Sequence, residues 1–209
     1  MAEITPAQAR KLVELIQRDF DKVSEKYDTR KYPPGVLRLL RDRMSTGRAE
    51  AAAMELAVMW KYGHLGKPNY PASHKQLADR LWRQWQKAPL VRGPKQAEVF
   101  GAWQRAFPTA FVTVCFLQHL VEPARTPILD RFNLKAVAHL LDQVGNDTRV
   151  NKAPRSLSDL EAVRTCISTV RRHWKSVTRE TAPSFDKMDR YLMMKGKELA
   201  EGDRRTVTT

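Results

Sequence analysis

The chain has 209 residues, of which 42% are hydrophobic and 29% are charged, and its 37 Lys and Arg against 23 Asp and Glu give a formal net charge of +14. This composition is that of a globular protein with one large domain or two small lobes, and no run approaches the roughly 20 apolar residues of a membrane span. The sequence pI near 10.1 favours a nucleic acid as partner over an anionic membrane surface, with a merely soluble basic protein as the plain alternative.

The first residues and the cysteines indicate the compartment. Residues 1–6 lack a basic stretch followed by an apolar one, so no signal peptide is predicted. Cys115 and Cys166 fall inside apolar helical patterns, which predicts reduced core thiols and excludes a four-cysteine iron–sulfur cluster. The histidines show no metal-ligand spacing. We therefore expect a cytoplasmic monomer without metal, cofactor or membrane contact.

Helical periodicity runs through almost the whole chain. Thr5, Pro6 and Gln8 predict an N-cap, a first position and a capping box for the first helix. Capping boxes are also expected at Ser73 with Gln76 and at Ser158 with Glu161. Eight further helices are expected at 36–44, at 48–61, from 73 to 86, from 93, after the break at 107–109, from 130 through 141, from 158 and from 183.

These elements define the expected fold. No alternating run predicts a strand, and no fixed-period repeat is present. We predict an all-α protein, with a single domain over residues 1–209 that contains about nine helices in two lobes with a cleft between them. The tail from about Gly202 is expected to be frayed.

An acidic side chain stands out in this basic chain. The apolar run 110–117 is followed by a short loop, and then Pro127-Ile-Leu-Asp130 opens the seventh helix. A helix N-terminus favours a negative side chain, and Asp is also a preferred N-cap residue. Capping and catalysis on the sugar of a nucleic acid are both open explanations for Asp130, and they do not exclude each other.

The order of a tight turn, an apolar helix, a short loop and Ile128-Leu-Asp130 resembles the helix-hairpin-helix DNA glycosylase superfamily, and within it the adenine-glycosylase branch. Residues 107–141 carry the resemblance. It implies a helix-hairpin-helix glycosylase-like fold in which Asp130 is the essential carboxylate. The implied enzyme flips a damaged or modified base out of DNA and hydrolyses its N-glycosidic bond.

Two departures from the family shape this expectation. The hairpin at 107–111 contains no glycine, and Pro108 lacks an N–H, so Thr109 and the following helix N-terminus are the remaining anion contacts. Relatives that also cut the strand use a lysine after the hairpin, where this chain has Val112-Thr113. The resemblance therefore implies base release that leaves the backbone intact, unless Lys61 reaches the sugar.

The third helix offers the best candidates for a base pocket. Glu55, Met59 and Tyr62 fall at near-helical spacing, and Trp60 and Lys61 end the helix. We expect the pocket to be lined by Met59, Trp60, Lys61 and Tyr62. The resemblance implies that Glu55 is the general acid. The plainer interpretation is that Trp60 belongs to the core and that Glu55 is a solvated helix residue.

DNA contacts are expected from residues that could meet phosphates, with a solvated basic face as the alternative for the arginines near 164–172. These residues are Thr109, Arg131, Lys135, Arg164, Arg171 and Arg172. The degenerate hairpin suggests a specialised enzyme, conceivably one for modified bases in viral DNA. Two other classes remain open, a non-catalytic helical DNA-binding protein and a helical protein-interaction module. The target base and the strandedness of the DNA are left open.

Overall fold

The computed structural model describes residues 2–206, which form ten α-helices and one 3₁₀ turn at Pro108–Ala110 and contain no strand. The all-α prediction is confirmed. The helices are α1 (Pro6–Gln17), α2 (Phe20–Ser24), α3 (Pro34–Ser45), α4 (Ala51–Lys61), α5 (Ala72–Lys87), α6 (Gln96–Ala106), α7 (Phe111–Val121), α8 (Arg131–Gln143), α9 (Leu157–Thr178) and α10 (Phe185–Thr206).

The predicted start of the first helix is confirmed. The Thr5 hydroxyl accepts the Gln8 N–H at 3.3 Å, and the Gln8 side chain accepts the Thr5 N–H at 3.0 Å. This reciprocal pair satisfies two of the N–H groups that a helix start leaves unbonded. The periodic pattern that follows is split into α1 and α2, because the chain turns at Asp19, which holds Tyr191 and Lys195 of α10.

Two predicted N-caps were each wrong by two residues. Helix α5 begins after Pro71, whose extended conformation makes it the N-cap, so Ser73 lies inside the helix. Helix α9 begins after Ser156, where the Asp159 carboxylate accepts the Ser156 N–H at 3.0 Å. At α9, Ser156 and Ser158 offer two similar capping registers, and local sequence does not choose between them. At α5, the cap is a proline and makes no side-chain capping bond, so Ser73 was a misleading signal.

The frayed tail stays a prediction, although its first residues are helical. Helix α10 continues through Gly202 to Thr206, and an ion pair between Lys135 of α8 and Asp203 ties this end of the helix down. The last part of the predicted tail, residues 207–209, lies outside the described residues.

The chain divides into two compact units. The first unit combines two separate segments, 1–27 and 127–209, and contains α1, α2, α8, α9 and α10. The second unit is the continuous segment 28–126 and contains α3 to α7. The predicted cleft and the single-domain assignment over residues 1–209 stay predictions.

In the first unit, α1 packs against α9, and α8 packs against both α9 and α10. The short helix α2 is anchored by Phe20, whose ring centroid lies 5.6 Å from that of Trp174 and 5.3 Å from that of Tyr191. The buried aromatic contacts therefore join the N-terminal segment of this unit to its C-terminal segment.

In the second unit, the apolar helix α7 forms the centre of the core and packs against α3, α4 and α6. Its one buried histidine, His119, has Nδ1 2.6 Å from the Thr126 carbonyl and Nε2 2.6 Å from the Arg41 guanidinium. Because a carbonyl accepts and a guanidinium donates, the ring carries its proton on Nδ1. Within residues 2–206, every helix is too short or too polar to cross a bilayer.

Candidate active site

Asp130 is the N-cap of α8. Its Oδ1 accepts the N–H groups of Phe132 at 2.7 Å and of Asn133 at 2.8 Å. One carboxylate oxygen thus satisfies two backbone donors that the helix start leaves unbonded. The prediction of an acidic residue at the head of this helix is confirmed, and so is its capping geometry.

The second carboxylate oxygen of Asp130 is placed differently. Oδ2 accepts no hydrogen bond from residues 2–206, and it is not among the buried polar atoms that lack a partner. The side chain is partly exposed. Asp130 therefore presents one oxygen to the helix and one oxygen to solvent, with its orientation fixed by the two amides.

A buried polar network holds the segment before Asp130 in place. The Ile128 N–H donates to Asp189 Oδ2 of α10 at 3.2 Å, and the Asn133 side-chain amide donates to the Ile128 carbonyl at 3.0 Å. Asn133 and Asp189 are only 1% and 4% exposed. Because Asn133 also donates its backbone N–H to Asp130, one residue links the carboxylate, the preceding segment and α10.

Sequence reasoning missed Asn133 and Asp189, although a signal was present. Asp189 lies on the apolar face of α10 defined by Phe185, Met188 and Leu192, at the i, i+3, i+4, i+7 positions that face a core. A polar residue on such a face is buried and needs a partner. That signal identifies Asp189 as structurally important but does not identify its partner.

Helices α8 and α10 approach very closely beside this network. A Cβ atom on Gly196 of α10 would lie 1.9 Å from the carbonyl oxygen of Phe132 in α8. The missing side chain lets the α10 backbone reach the first turn of α8, the turn that carries the Asp130 cap. Gly196 is thus a third residue, after Asn133 and Asp189, that supports the cap and that the sequence did not reveal.

The other predicted catalytic residue, Glu55, belongs to the second unit, where it is partly exposed on α4. Met59 and Lys61 of the predicted base pocket are also partly exposed on this helix. The Lys61 Nζ lies 5.6 Å from the Phe116 ring centroid. The structure thus places Asp130 in one unit and the α4 candidates in the other, and their cooperation at one site stays a prediction.

Trp60 does not fit the predicted pocket. It is 3% exposed, its ring lies parallel to that of Phe116 at a centroid distance of 5.1 Å, and its indole N–H donates to the Pro33 carbonyl at 3.4 Å. Trp60 therefore packs in the core of the second unit, which was the alternative to a pocket residue. Amphipathic spacing could not separate it from its exposed neighbour Tyr62.

Tyr62, in contrast, is 39% exposed and firmly held. Its ring stacks on His74 of α5 at a centroid distance of 4.1 Å, and its hydroxyl lies 2.9 Å from the Thr113 hydroxyl of α7. Gly63 follows with φ 65°, and the His64 N–H bonds back to the Met59 carbonyl, which ends α4 in a Schellman-type turn. Tyr62 is therefore an aromatic surface with little freedom to move.

The groups around Tyr62 favour neutral forms. Burial lowers the pKa of His74, and the neighbouring His64 lowers it further. Burial raises the pKa of Tyr70 to about 12, and the charges of Glu55 and Asp79 add to this shift. At neutral pH Tyr70 and His74 are thus held in their uncharged forms beside the exposed ring of Tyr62.

Most of the predicted DNA-binding residues engage the protein itself. Arg164 pairs with Glu161 at 2.7 Å, Lys135 pairs with Asp203, and the Arg131 guanidinium lies 4.7 Å from the Phe132 ring centroid. The remaining three are Arg171, whose Nε donates to the Pro183 carbonyl at 2.9 Å, and the exposed Thr109 and Arg172. DNA contacts by these residues stay predictions, with Thr109 and Arg172 the most accessible.

The two cysteines are free and buried, as predicted, and burial raises the pKa of both thiols to about 12. Among residues 2–206, no group of three or more His, Cys, Asp or Glu side chains could hold a metal ion. No protein-family model, no curated protein and no solved structure matches this chain.

Proposed function

We propose that this protein is a monofunctional DNA glycosylase, which releases a damaged or modified base and leaves an abasic site. The observation that supports the proposal is that the two oxygens of the Asp130 carboxylate have different surroundings. Oδ1 is fixed by the amides of Phe132 and Asn133, while Oδ2 is left to solvent. A carboxylate held in this way is a preorganised negative group for charge that develops in a transition state.

The chemistry follows from that geometry. As the N-glycosidic bond breaks, its electron pair leaves with the base, and positive charge develops on the sugar. A water molecule then adds to the sugar carbon and loses a proton to Asp130, while the departing base takes up a proton from a general acid. The resemblance assigns this second role to Glu55. Tyr62 of the second unit is a separate candidate for stacking with an unpaired base, because its ring is 39% exposed.

The test separates catalysis from capping. Asn caps a helix about as well as Asp, so Asp130→Asn should keep the midpoint of urea unfolding while it removes the negative charge. We expect base release from a panel of duplexes with damaged or modified bases, detected as strand breaks after alkali, to fall by about 10²–10³-fold. Asp142→Asn, an exposed acid near the other end of α8, is the matched control and should retain activity.

Unchanged activity of Asp130→Asn would remove Asp130 from the mechanism. Strand breaks without alkali would contradict the monofunctional proposal and direct attention to Lys61. A second candidate function, a non-catalytic helical DNA-binding protein, is favoured by the cap itself, because two N–H bonds are a sufficient reason for Asp at this position. It predicts DNA binding without base release from any duplex in the panel.

A further inference from the structure

A row of cations runs along the outer side of α5 in the second unit. The inner side of this helix carries the buried residues Ala78, Leu81 and Trp85. Arg80, Arg83 and Lys87 lie at i, i+3 and i+7 on the opposite side, and all three are exposed. We call these three residues the α5 row.

No acidic side chain of the described residues neutralises the charges of the α5 row. Within residues 2–206, none of the three forms an ion pair. The Arg83 Nε donates weakly, at 3.4 Å, to the Asp79 backbone carbonyl of the same helix, and the Arg80 guanidinium lies 5.4 Å from the Phe107 ring centroid. Two of the three predicted cations of α9 differ, because Arg164 is paired with Glu161 and Arg171 holds the Pro183 carbonyl.

The α5 row is also held rigidly. Helix α5 packs on α4, and at its C-terminal end the Trp85 and Trp103 rings meet edge to face at 6.2 Å. The Trp103 indole N–H donates to the Ala88 carbonyl, just after α5, at 2.7 Å. A rigid helix loses little conformational freedom when its side chains bind a ligand.

Arg80 places the α5 row beside the turn that precedes α7. Its contact partner Phe107 begins this turn, which continues through Pro108 to the exposed Thr109. Another exposed cation, Arg105, lies in the last turn of α6. The predicted phosphate contact at Thr109 therefore adjoins the α5 row, although sequence alone gave no reason to connect them.

Net charge favours the same unit. The segment 28–126 contains 16 Lys and Arg against 7 Asp and Glu, whereas the larger first unit contains 21 against 16. The second unit thus carries +9 of the formal +14. A concentration of one sign of charge steers a polyanion toward that surface.

We infer that the α5 row, together with Thr109, contacts the phosphate backbone of duplex DNA. This inference rests on the proposed function for its choice of DNA as the polyanion. Seven residues of helix advance by about 10 Å, which corresponds to about three base-pair steps of axial rise at about 3.4 Å each, so the three side chains can reach neighbouring phosphates of one strand. The contacts are electrostatic and independent of base sequence, so they position the duplex and leave base selection to other residues.

The experiment compares two sets of exposed cations with the same charge. One variant combines Arg80→Gln, Arg83→Gln and Lys87→Gln. Its matched control combines Arg155→Gln, Lys175→Gln and Arg179→Gln, which are exposed cations around the two ends of α9 and are not among the predicted DNA contacts. Both variants lose three charges, so the change in net charge is the same. Binding of a labelled, unmodified duplex is followed by fluorescence anisotropy over a range of salt concentrations.

We expect the α5 variant to bind about a hundredfold more weakly near about 150 mM salt, because each lost phosphate contact lowers the slope of log affinity against log salt by about 0.9. Its slope should fall by about 2–3, and the slope of the α9 variant should stay near that of the wild type. Arg80 also covers Phe107, so a double variant, Arg83→Gln with Lys87→Gln, guards against a folding defect and should lower the slope by about 2.

Equal losses in the two variants, or a larger loss in the α9 variant, would overturn the inference and leave the proposed function intact. Failure of the wild-type protein to bind any duplex would overturn the proposed function and the inference with it. Vesicles containing phosphatidylserine provide a further arm. If the wild type bound them through the α5 row but did not bind duplex DNA, the partner would be a membrane surface.

Discussion

Ion pairs differ between the two units. In the first unit, Lys26 pairs with Glu198, Lys135 with Asp203, and Lys195 with Asp19, and the first and last of these join the two segments of the chain that build the unit. In the second unit, the pairs Arg43–Glu50 and Arg125–Glu122 join near neighbours in sequence. In the first unit, two ion pairs hold distant segments of the chain together. In the second unit, the two named pairs are local, and the cations of the α5 row are exposed to solvent.

The same contrast applies to buried polar groups. Around Asp130, the side chains of Asn133 and Asp189 satisfy backbone groups and fix one carboxylate orientation. Around Tyr62, aromatic stacking and neutral polar groups define the surface instead. The first unit therefore fixes one carboxylate in a single orientation, and the second unit presents the aromatic group around Tyr62 and the α5 row, which we propose contacts DNA.

The largest expected effect tests the close packing of the first unit. Gly196→Ala places a Cβ 1.9 Å from the Phe132 carbonyl, so α10 must move away from α8. We expect a loss of about 1–3 kcal/mol in the free energy of urea unfolding, even though Ala is favoured by about 1 kcal/mol within a helix.

The control for this prediction lies in the second unit. At Gly101 of α6, a Cβ would meet the Arg105 side chain at 3.7 Å, an ordinary contact. Gly101→Ala should therefore be neutral or stabilising by up to about 1 kcal/mol. If the two variants had equal stability, the tight approach of α8 and α10 would not be a constraint on the fold.

A comparable effect is expected for one of the acidic residues. Asp189→Ala leaves the partly buried Ile128 N–H without its acceptor and should lower the free energy of unfolding by about 1–3 kcal/mol. Asp79→Ala removes an exposed acid of the second unit and should change it by no more than about 0.5 kcal/mol. Equal costs in urea unfolding would show that Asp189 does not anchor the Ile128 segment.

Asp79 lies one residue before the α5 row, so Asp79→Ala can also be used to test DNA binding by this row. Removing this negative charge should strengthen duplex binding at low salt, while Asp189→Ala should affect binding only through stability. Weaker binding by a well-folded Asp79→Ala variant would contradict the placement of the DNA backbone along α5.

The smallest expected effect is a pH dependence in the second unit. The folded-state pKa of His74 lies below its ordinary value of 6.5, so the unfolded chain binds more protons as the pH falls through this range. The stability that depends on neutral His74 is thus complete above about pH 6.5 and is lost toward lower pH. The groups that face His74 are Tyr62, His64 and Tyr70.

Melting temperatures measured between about pH 8 and pH 5 check this expectation. His74→Phe keeps an aromatic ring against Tyr62 but cannot take up a proton, so its melting temperature should fall less on acidification than that of the wild type. Parallel pH profiles for the two proteins would exclude His74 as the titrating group.

The sequence predicted the all-helical class, the Thr5 cap, the buried cysteines and the position of Asp130 at the head of a helix. Each of these depends on residues within a few positions of one another, since caps and amphipathic faces are properties of single turns. The capping registers of α5 and α9 were wrong for a related reason. At α9, Ser156 and Ser158 offered similar local signals, and at α5 the proline cap gave no side-chain signal at all.

The tertiary structure alone decided how these elements are used. It joined the N-terminal helices to the C-terminal half, brought Asp189 under the segment before Asp130, and buried Trp60 while leaving its neighbour Tyr62 exposed. It also determined that Arg164 and Lys135 are paired while the α5 row is not. Ion pairing and burial depend on residues far apart in the chain. Local periodicity contains no information about which distant residue will become the contact partner.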